Sequence, residues 1–265
     1  MHPDPYLQRI GLTDLRAAEV SPDYETLGRL VSAHLQHVPF ENLDIVGDPH
    51  GAADGDGDGV SLFLPDLYEK LVDERRDGYC FELNGLWAWL LGELGYDVDR
   101  CAGRVTDEGE FGHPPANHHT TVVHLDKSYV VDVGSGTPQL RTPVPLDGTP
   151  VEDAVGVQWR VDPDDTRLSD YVLKLRTPGE DWSVRYRFET TPRALTYFEA
   201  TCDYLANDPD GTFTSGPIVA RSTPDGTLSL DADTLTRVAD GEPTERTIQP
   251  SEWHEVLSSE FGIRL

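Results

Sequence analysis

Arg76-Asp77-Gly78-Tyr79-Cys80-Phe81-Glu82-Leu83-Asn84 is the stretch of this 265-residue chain from which its organisation is best worked out. Cys80 follows a glycine-containing turn and precedes an apolar run, from Leu83 to Leu94, whose spacing predicts a helix. The thiol is therefore expected at a helix N-terminus, where free backbone N–H groups and the helix dipole favour negative charge. Such a position lowers the pKa of a thiol, and the thiolate is the nucleophilic form. We therefore predict that Cys80 performs acyl chemistry, although the alternative for any cysteine is a small buried apolar residue.

Helical and extended patterns follow one another along the rest of the chain. Apolar residues recur at helical spacing before Gly95, and β-branched residues alternate as in strands from Val98 to about Phe188. After Pro192, helical and strand patterns are mixed. The predicted helices cover 14–20, 24–37, 65–75, 192–205 and 251–261, the strands 121–125, 129–133, 171–175 and 182–188, and a hairpin 218–230.

The composition is extremely acidic. Asp and Glu number 48 against 21 Lys and Arg, which gives a formal net charge of −27 that is spread along the whole chain. Such a surface repels nucleic acid and anionic membranes, so neither is expected as a partner. Self-repulsion also destabilises the fold in dilute salt, whereas the Debye length falls to about 3 Å at about 1 M salt. We therefore expect a halophilic protein whose surroundings contain molar salt.

Neither a membrane segment nor a secretion signal is evident. No apolar run approaches the ~20 residues of a membrane-spanning helix, and the N-terminus lacks a basic segment followed by an apolar one. The cysteines are Cys80, Cys101 and Cys202, an odd number without a CxxC pair, which fits a reducing compartment. A cytoplasmic protein with one functional thiol is expected, in which Cys101 and Cys202 serve only for packing.

A thiol nucleophile needs a base, and the base needs an orienting partner. Residues 113–124 contain four of the nine histidines, and Asp132 follows in a valine-rich strand where an unpaired carboxylate would be costly. A short turn near 126–127 makes the two strands antiparallel neighbours and brings a histidine beside Asp132. The alternatives for the histidines His113, His118, His119 and His124 are a solvated loop or a metal site. A metal site requires three or four converging ligands, which nothing in the sequence fixes, so no metal is expected.

With these residues in view, the chain resembles the arylamine N-acetyltransferases over nearly all of its length. Residues 76–85 stand where that family has R-G-G-x-C-x-E-x-N, and 131–136 stand where it often has V-D-V-G-F-G. Further matching segments are Val38-Pro39-Phe40-Glu41-Asn42-Leu43-Asp44, Tyr197-Phe198-Glu199, Thr212-Phe213-Thr214, Thr223-Pro224-Asp225-Gly226 and Phe261-Gly262-Ile263. Their order and spacing make chance agreement an unreasonable explanation.

The resemblance implies an α+β fold in three parts. These are an N-terminal helical bundle carrying the cysteine (1–96), a middle antiparallel β-barrel-like domain carrying the histidine and aspartate (97–191), and a C-terminal α/β lid (192–265). A cysteine helix packed on strands that bear His and Asp is also similar to the cores of papain-like enzymes and transglutaminases.

The resemblance also implies a Cys-His-Asp triad, with Cys80 and Asp132 as two of its members. An ungapped alignment makes His118 the base, which keeps Val123 and Leu125 buried. A two-residue turn at 126–127 would instead bring His119 onto the face of Asp132, because side chains on a strand alternate between faces. His118 is the preferred base and His119 the alternative.

The implied activity is ping-pong transfer of acetyl from acetyl-CoA, through acetyl-Cys80, to an aromatic amine or hydrazine. Gly134, Gly136 and Thr214 are the implied cofactor contacts, and Phe40 and Ser135 the implied substrate pocket. Ser135 replaces an aromatic residue of the family, which is expected to change the choice of amine. The sequence leaves the physiological amine, the acyl-chain preference and the oligomeric state undetermined.

Further charged residues flank the nucleophile. Asp77 replaces a family glycine and should raise the pKa of the thiol unless Arg75 or Arg76 compensates. Glu41 and Arg76 are expected to form a structural ion pair.

Two other functions remain open. The first is a thiol-dependent hydrolase or amide synthase of the same fold that uses another acyl donor. The second is a catalytically silent binding protein that retains the fold.

Overall fold

The computed structural model describes residues 1–51, 59–105, 114–164 and 166–265. The helices within these ranges are α1 (Pro3–Arg9), α2 (Tyr24–His37), α3 (Leu43–Val46), α4 (Leu64–Tyr68), α5 (Cys80–Glu93), α6 (Glu199–Asn207) and α7 (Trp253–Val256). The strands are β1 (Phe40–Glu41), β2 (Asp97–Arg104), β3 (His118–His124), β4 (Ser128–Val131), β5 (Val144–Pro145), β6 (Val151–Glu152), β7 (Gln158–Pro163), β8 (Tyr171–Arg176), β9 (Ser183–Pro192), β10 (Val219–Thr223), β11 (Gly226–Leu230), β12 (Thr234–Ala239) and β13 (Glu242–Thr247). Short 3₁₀ turns cover Ala17–Glu19 and Leu195–Phe198, and π-helical turns cover Glu69–Asp73 and Leu257–Phe261.

The central helix of the fold is α5, which begins at the cysteine as the sequence predicts. Its apolar residues lie on every side, and Leu83, Leu86 and Trp87 are fully buried. A helix that is apolar all round must be enclosed by other elements. It lies within the largest apolar core, together with side chains of α1, α2 and α4 and with Val123 of β3.

An eight-stranded antiparallel sheet carries the histidines and the aspartate. Its strand order is β5-β4-β3-β2-β9-β8-β7-β6, and β5 also packs against β7, which curls the sheet toward a barrel. A second apolar core, which includes Trp159, Leu173, Tyr186 and Phe188, lies inside this curl. The middle region is therefore β-barrel-like, as expected.

A second sheet joins the two ends of the chain, in the order β1-β10-β11-β12-β13. Phe40 of β1 pairs with Ala220 of β10, and the N–H of Glu41 donates to the carbonyl of Gly78 at 2.9 Å. The N-terminal region thereby supplies the edge strand of the C-terminal sheet and contacts the nucleophile turn. The α+β fold class is confirmed, whereas the division at residues 96 and 191 stays a prediction.

Some elements differ from their predicted form. The predicted helix 65–75 is α4 followed by a π-helical turn, and 192–205 is a 3₁₀ turn that continues into α6. Helix α1, with Pro3 in its first turn and the imidazole of His2 accepting the N–H of Asp4, was not predicted. In the described ranges no helix combines the length and apolarity required to cross a bilayer.

Candidate active site

Cys80 is the first residue of α5 and is buried, with 3% of its surface exposed. Burial raises the pKa of the Cys80 thiol well above its ordinary value, and Asp132 and Glu82 add to this because a second negative charge is unfavourable nearby. The N–H of Phe81, at the helix N-terminus, lowers the pKa. The expected effect of the helix terminus is thus present, but burial outweighs it. The thiol consequently needs a partner that takes its proton.

Asn84, one helical turn beyond Cys80, fastens α5 to the histidine and aspartate strands. Its amide nitrogen donates to the carbonyl of His119 at 2.7 Å and to Oδ1 of Asp132 at 2.8 Å. Its amide oxygen accepts the N–H of Val133 at 3.0 Å. Sequence reasoning gave Asn84 no role, although a polar residue on an otherwise apolar helix was a usable signal.

His118 and Asp132 form a buried pair. Nε2 of His118 lies 2.7 Å from Oδ2 of Asp132, and the two side chains are 4% and 0% exposed. Burial alone would raise the pKa of Asp132, but His118, the Asn84 amide and the N–H of Gly134 together lower it to about 2. Because a carboxylate only accepts hydrogen bonds, Nε2 carries the proton and Nδ1 is the ring atom that can accept another.

The connection between β3 and β4 decides which histidine meets the aspartate. The strands pair with Val123 opposite Tyr129 and His124 opposite Ser128, so the loop has three residues, 125–127, rather than two. The N–H of Leu125 donates to the carbonyl of Lys127 at 2.8 Å and closes this loop. An odd loop length puts even-numbered residues of both strands on one face, so His118 shares the face of Asp132.

His119 points into a different environment. Its Nε2 donates to the carbonyl of Phe81 at 3.1 Å, and its ring lies 5.7 Å from the Phe81 ring and 4.6 Å from the Phe198 ring. Burial lowers the pKa of His119 to about 3, so it stays neutral. Its ring therefore lies between two aromatic side chains and the carbonyl of Phe81 in α5, and it makes no hydrogen bond to Asp132.

Gly134 brings the aspartate strand against the cysteine. A Cβ at this position would lie 2.8 Å from both Cα and the carbonyl oxygen of Cys80, closer than carbon atoms approach. Gly134 therefore has a packing requirement of its own, in addition to its predicted contact with cofactor. The carbonyl of Gly136 accepts a hydrogen bond from the Arg185 guanidinium.

Burial raises the pKa of Asp77 well above its ordinary value, and the charged group that most opposes this is Arg9, which sequence reasoning missed. Neither Arg75 nor Arg76 is the partner: Nη2 of Arg9 in α1 lies 2.5 Å from Oδ1 of Asp77, and both side chains are buried. Arg9 also donates to the backbone carbonyls of Leu71 and His37. The predicted compensation exists, but it comes from a position 68 residues earlier in the chain.

The predicted ion pair of Glu41 and Arg76 is present at 3.8 Å. Asp44 is the nearer partner of the Arg76 guanidinium, at 2.5 Å. The prediction was therefore correct but incomplete.

The predicted pocket residues lie in separate surroundings. The ring of Phe40 lies 6.3 Å from that of Phe213, which in turn lies 5.3 Å from that of Tyr79, next to the nucleophile. Ser135 is buried, and its hydroxyl accepts the N–H of Leu140 at 3.4 Å. Among the described residues no hydrogen bond or aromatic contact joins Ser135 to Phe40.

A cavity of about 800 Å³ lies on the α3 and α6 side of the nucleophile helix. Thr214 lines it, with a hydroxyl that donates to the carbonyls of Gly211 and Asp208. Cys202 also lines it, and its sulfur lies 2.8 Å from the hydroxyl of Tyr79. Cys101 and Cys202 are free and buried, as expected of packing residues.

Among the residues that the structure describes, no group of three or more His, Cys, Asp or Glu side chains is arranged to hold a metal ion. His124 instead pairs with Asp99 at 2.8 Å and with the hydroxyl of Ser128 at 2.9 Å. His113 lies outside the described residues.

Comparison with known proteins shows the family of the chain. The profile of a family described as N-acetyltransferase matches residues 23–265. The chain is 38% identical over 232 residues to the arylamine N-acetyltransferase of Mycolicibacterium smegmatis, a match that covers 85% of this chain and 78% of the relative. The chain belongs to the arylamine N-acetyltransferases. Membership in this family makes it an acyltransferase and confirms the resemblance drawn from the motifs.

Solved structures of arylamine N-acetyltransferases share the fold. The M. smegmatis enzyme, as a variant with a cysteine replaced by glutamine, superposes with a TM-score of 0.84 at 33% identity, covering 100% of this chain and 93% of that one. The Mycobacterium marinum enzyme, solved in complex with CoA, gives 0.81 at 30% identity and covers 98% and 92% of the two chains. A Bacillus cereus enzyme, described as having a unique Cys-His-Glu catalytic triad, gives 0.84 at 26% identity and covers 98% of both chains.

Proposed function

We propose that this arylamine N-acetyltransferase transfers acetyl from acetyl-CoA to an aromatic amine or hydrazine through an acetyl-Cys80 intermediate. The observation that carries the proposal is the buried pair of His118 and Asp132, fastened through Asn84 to the helix that begins with Cys80. Family membership supports the reaction, and the arrangement of the side chains supports the assignment of roles.

The first half-reaction forms the acyl-enzyme. His118 takes the proton of the buried Cys80 thiol at Nδ1, and Asp132 stabilises the resulting imidazolium. The thiolate attacks the thioester carbonyl, and the tetrahedral intermediate collapses with loss of CoA thiolate, which takes the proton from the His118 imidazolium and leaves His118 neutral for the second half-reaction. Backbone N–H groups around Cys80 and Phe81 at the start of α5 are suited to stabilise the oxyanion.

The second half-reaction transfers the acetyl group to the acceptor. The amine nitrogen attacks acetyl-Cys80, the carbon–sulfur bond breaks, and His118 removes the proton that the nitrogen loses. Because the acetyl group is held between the two steps, each substrate binds to a different form of the enzyme.

The cofactor contacts are proposed at Gly134, Gly136 and Thr214. Glycine at 134 lets the strand approach Cys80, and the cavity beside Thr214 offers about 800 Å³ of space. The acidic residues Asp44, Glu199 and Asp203 that line this cavity disfavour the phosphates of CoA. We therefore assign the cavity no phosphate site.

The acceptor is proposed to contact the aromatic surface of Phe40 and the smaller, polar Ser135. The family motif that residues 131–136 resemble often has an aromatic residue at this position, whereas the buried Ser135 is smaller and carries a hydroxyl that can bond to the amine substrate. This favours bulkier or more polar amines than an aromatic side chain would accept.

Family membership does not favour the hydrolase or amide-synthase alternative, nor the silent binding protein. Steady-state kinetics separate them, because CoA release should require both acetyl-CoA and an arylamine and should give parallel double-reciprocal lines. CoA release without amine at the same rate would favour hydrolysis, and no release at all would favour a binding protein.

We further propose that the protein works in the cytoplasm at high salt. The net charge of −27 and the three free cysteines support a salt-rich, reducing compartment.

A further inference from the structure

A cluster of charged side chains lies beneath the nucleophile turn, outside the triad. Three carboxylates, Glu41, Asp44 and Glu82, share two cations, Lys70 and Arg76. Nζ of Lys70 lies 2.6 Å from Oε1 of Glu82 and 2.7 Å from Oδ2 of Asp44. Because Glu82 is in α5 and Asp44 in α3, the Lys70 ammonium group bridges two elements that the backbone does not join directly.

The second oxygen of Glu82 holds the turn that precedes the nucleophile. Oε2 accepts the N–H of Tyr79 at 3.1 Å, the capping-box arrangement at the start of α5. A Cβ on Gly78 would lie 2.7 Å from this oxygen, so the glycine leaves room for the carboxylate. The position of Glu82 therefore fixes the residue immediately before Cys80.

Lys70 also contacts the beginning of the same turn through its backbone. Its carbonyl, in the π-helical turn Glu69–Asp73, accepts the N–H of Arg76 at 2.9 Å. The turn from Arg76 to Tyr79 is thus attached to Lys70 at one end and, through Glu82, at the other.

The charges make this arrangement sensitive to the presence of Lys70. Burial raises the pKa of Glu82 to about 7, while Lys70 lowers it and Glu41 raises it. Without the ammonium group, Glu82 would keep its proton to a higher pH and would accept the Tyr79 N–H less strongly, since charged acceptors make stronger hydrogen bonds.

We propose that Lys70 is a positioning residue for the nucleophile: its ammonium group holds Glu82 in the arrangement that caps α5 and orients Cys80. The inference rests on the proposed role of Cys80. It adds a residue that acts on the reaction through the geometry of the turn, without touching the reacting atoms.

The test compares Lys70→Met with Lys70→Arg in single-turnover acetylation by acetyl-CoA, followed by mass spectrometry of the Cys80 peptide. Lys70→Met should acetylate about tenfold more slowly at pH 7, the effect of one charge-assisted hydrogen bond. Its KM for acetyl-CoA should stay nearly unchanged, the rising part of its pH–rate profile should move to higher pH, and Lys70→Arg should restore most of the rate. Lys127→Met is the matched control, since Lys127 pairs with Asp147 on the surface and should retain the full rate.

Glu82→Gln shows whether Lys70 acts through Glu82. Glutamine can still cap the helix but does not titrate, so adding Lys70→Met to this variant should have less than about a threefold effect. The proposal would be overturned if Lys70→Met slowed acetylation by the full factor of about ten in the Glu82→Gln variant as well. It would also be overturned if Lys70→Met alone left the acetylation rate and its pH profile unchanged.

If Lys70→Met does not fold, Glu82→Gln carries the test alone. The pH–rate profile of Glu82→Gln should lack the rise in acetylation rate near pH 7, where Glu82 loses its proton. A profile identical to that of the protein without substitutions would contradict the inference. If the protein without substitutions formed no acetyl adduct at all, the proposed role of Cys80 would be refuted. This outcome is distinct from those that refute only the role of Lys70.

Discussion

Nε2 of His118 lies 2.7 Å from Oδ2 of Asp132, and both side chains are buried. The carboxylate requires the proton on Nε2 and so leaves the lone pair on Nδ1. The same carboxylate accepts from Asn84 and Gly134 through its other oxygen, which fixes its plane. The pair is thus organised to hold one tautomer and to stabilise a positive charge on the imidazole.

Replacing the acid should select the wrong tautomer. Asp132→Asn keeps the shape but can donate to Nε2, so Nδ1 would carry the proton and could no longer accept one. We expect acetylation of Cys80 to slow by about a thousandfold or more, as for other triads with this change. Single-turnover mass spectrometry measures it, and a loss below tenfold with intact near-UV circular dichroism would contradict the role of Asp132.

The two adjacent histidines provide a matched pair of variants. His118→Gln removes the proposed base and should reduce the acetylation rate by about a thousandfold. His119→Gln can retain a donor toward the Phe81 carbonyl and should stay within about tenfold of the unmodified rate, with a lower melting temperature. The reverse order of the two activities would assign the base to His119.

Most of the candidate site was predicted from local patterns in the sequence. The cysteine turn, the apolar α5 pattern and the valine-rich Asp132 strand each predict their own structure. The choice of histidine was left open because it depends on the length of the 125–127 loop, and one residue more or less inverts the face.

The features that were missed depend on tertiary contacts. Arg9 reaches Asp77 across 68 positions, and no local pattern connects them. Likewise β1 has only two residues, and its pairing with β10 is set by the packing of distant segments. Asn84 and Lys70 were visible as residues, but their partners became apparent only in the fold.

The pair of Arg9 and Asp77 should show strong energetic coupling. Asp77→Ala leaves a buried guanidinium without its counter-ion, which typically destabilises a protein by about 3–5 kcal/mol. Arg9→Met with Asp77→Ala should be destabilised by less than the sum of the single variants, with a coupling of at least about 1 kcal/mol. Urea unfolding measures this, and strictly additive effects would exclude the pair as a stabilising unit.

Salt should stabilise the protein. A net charge of −27 repels itself in dilute buffer, and molar KCl screens that repulsion. We expect the melting temperature to rise steadily from about 0.05 M to about 2 M KCl, with most of the electrostatic gain complete near about 1 M. Equal or greater stability at low salt would refute the proposed halophilic character.

Acetylation of Cys80 is tested most directly by the mass of the protein after brief exposure to acetyl-CoA without amine. We expect one added acetyl group, located on the Cys80 peptide, absent from Cys80→Ala and discharged when an arylamine is added. A protein that stays unmodified, or carries the acetyl group on Cys101 or Cys202, would contradict it.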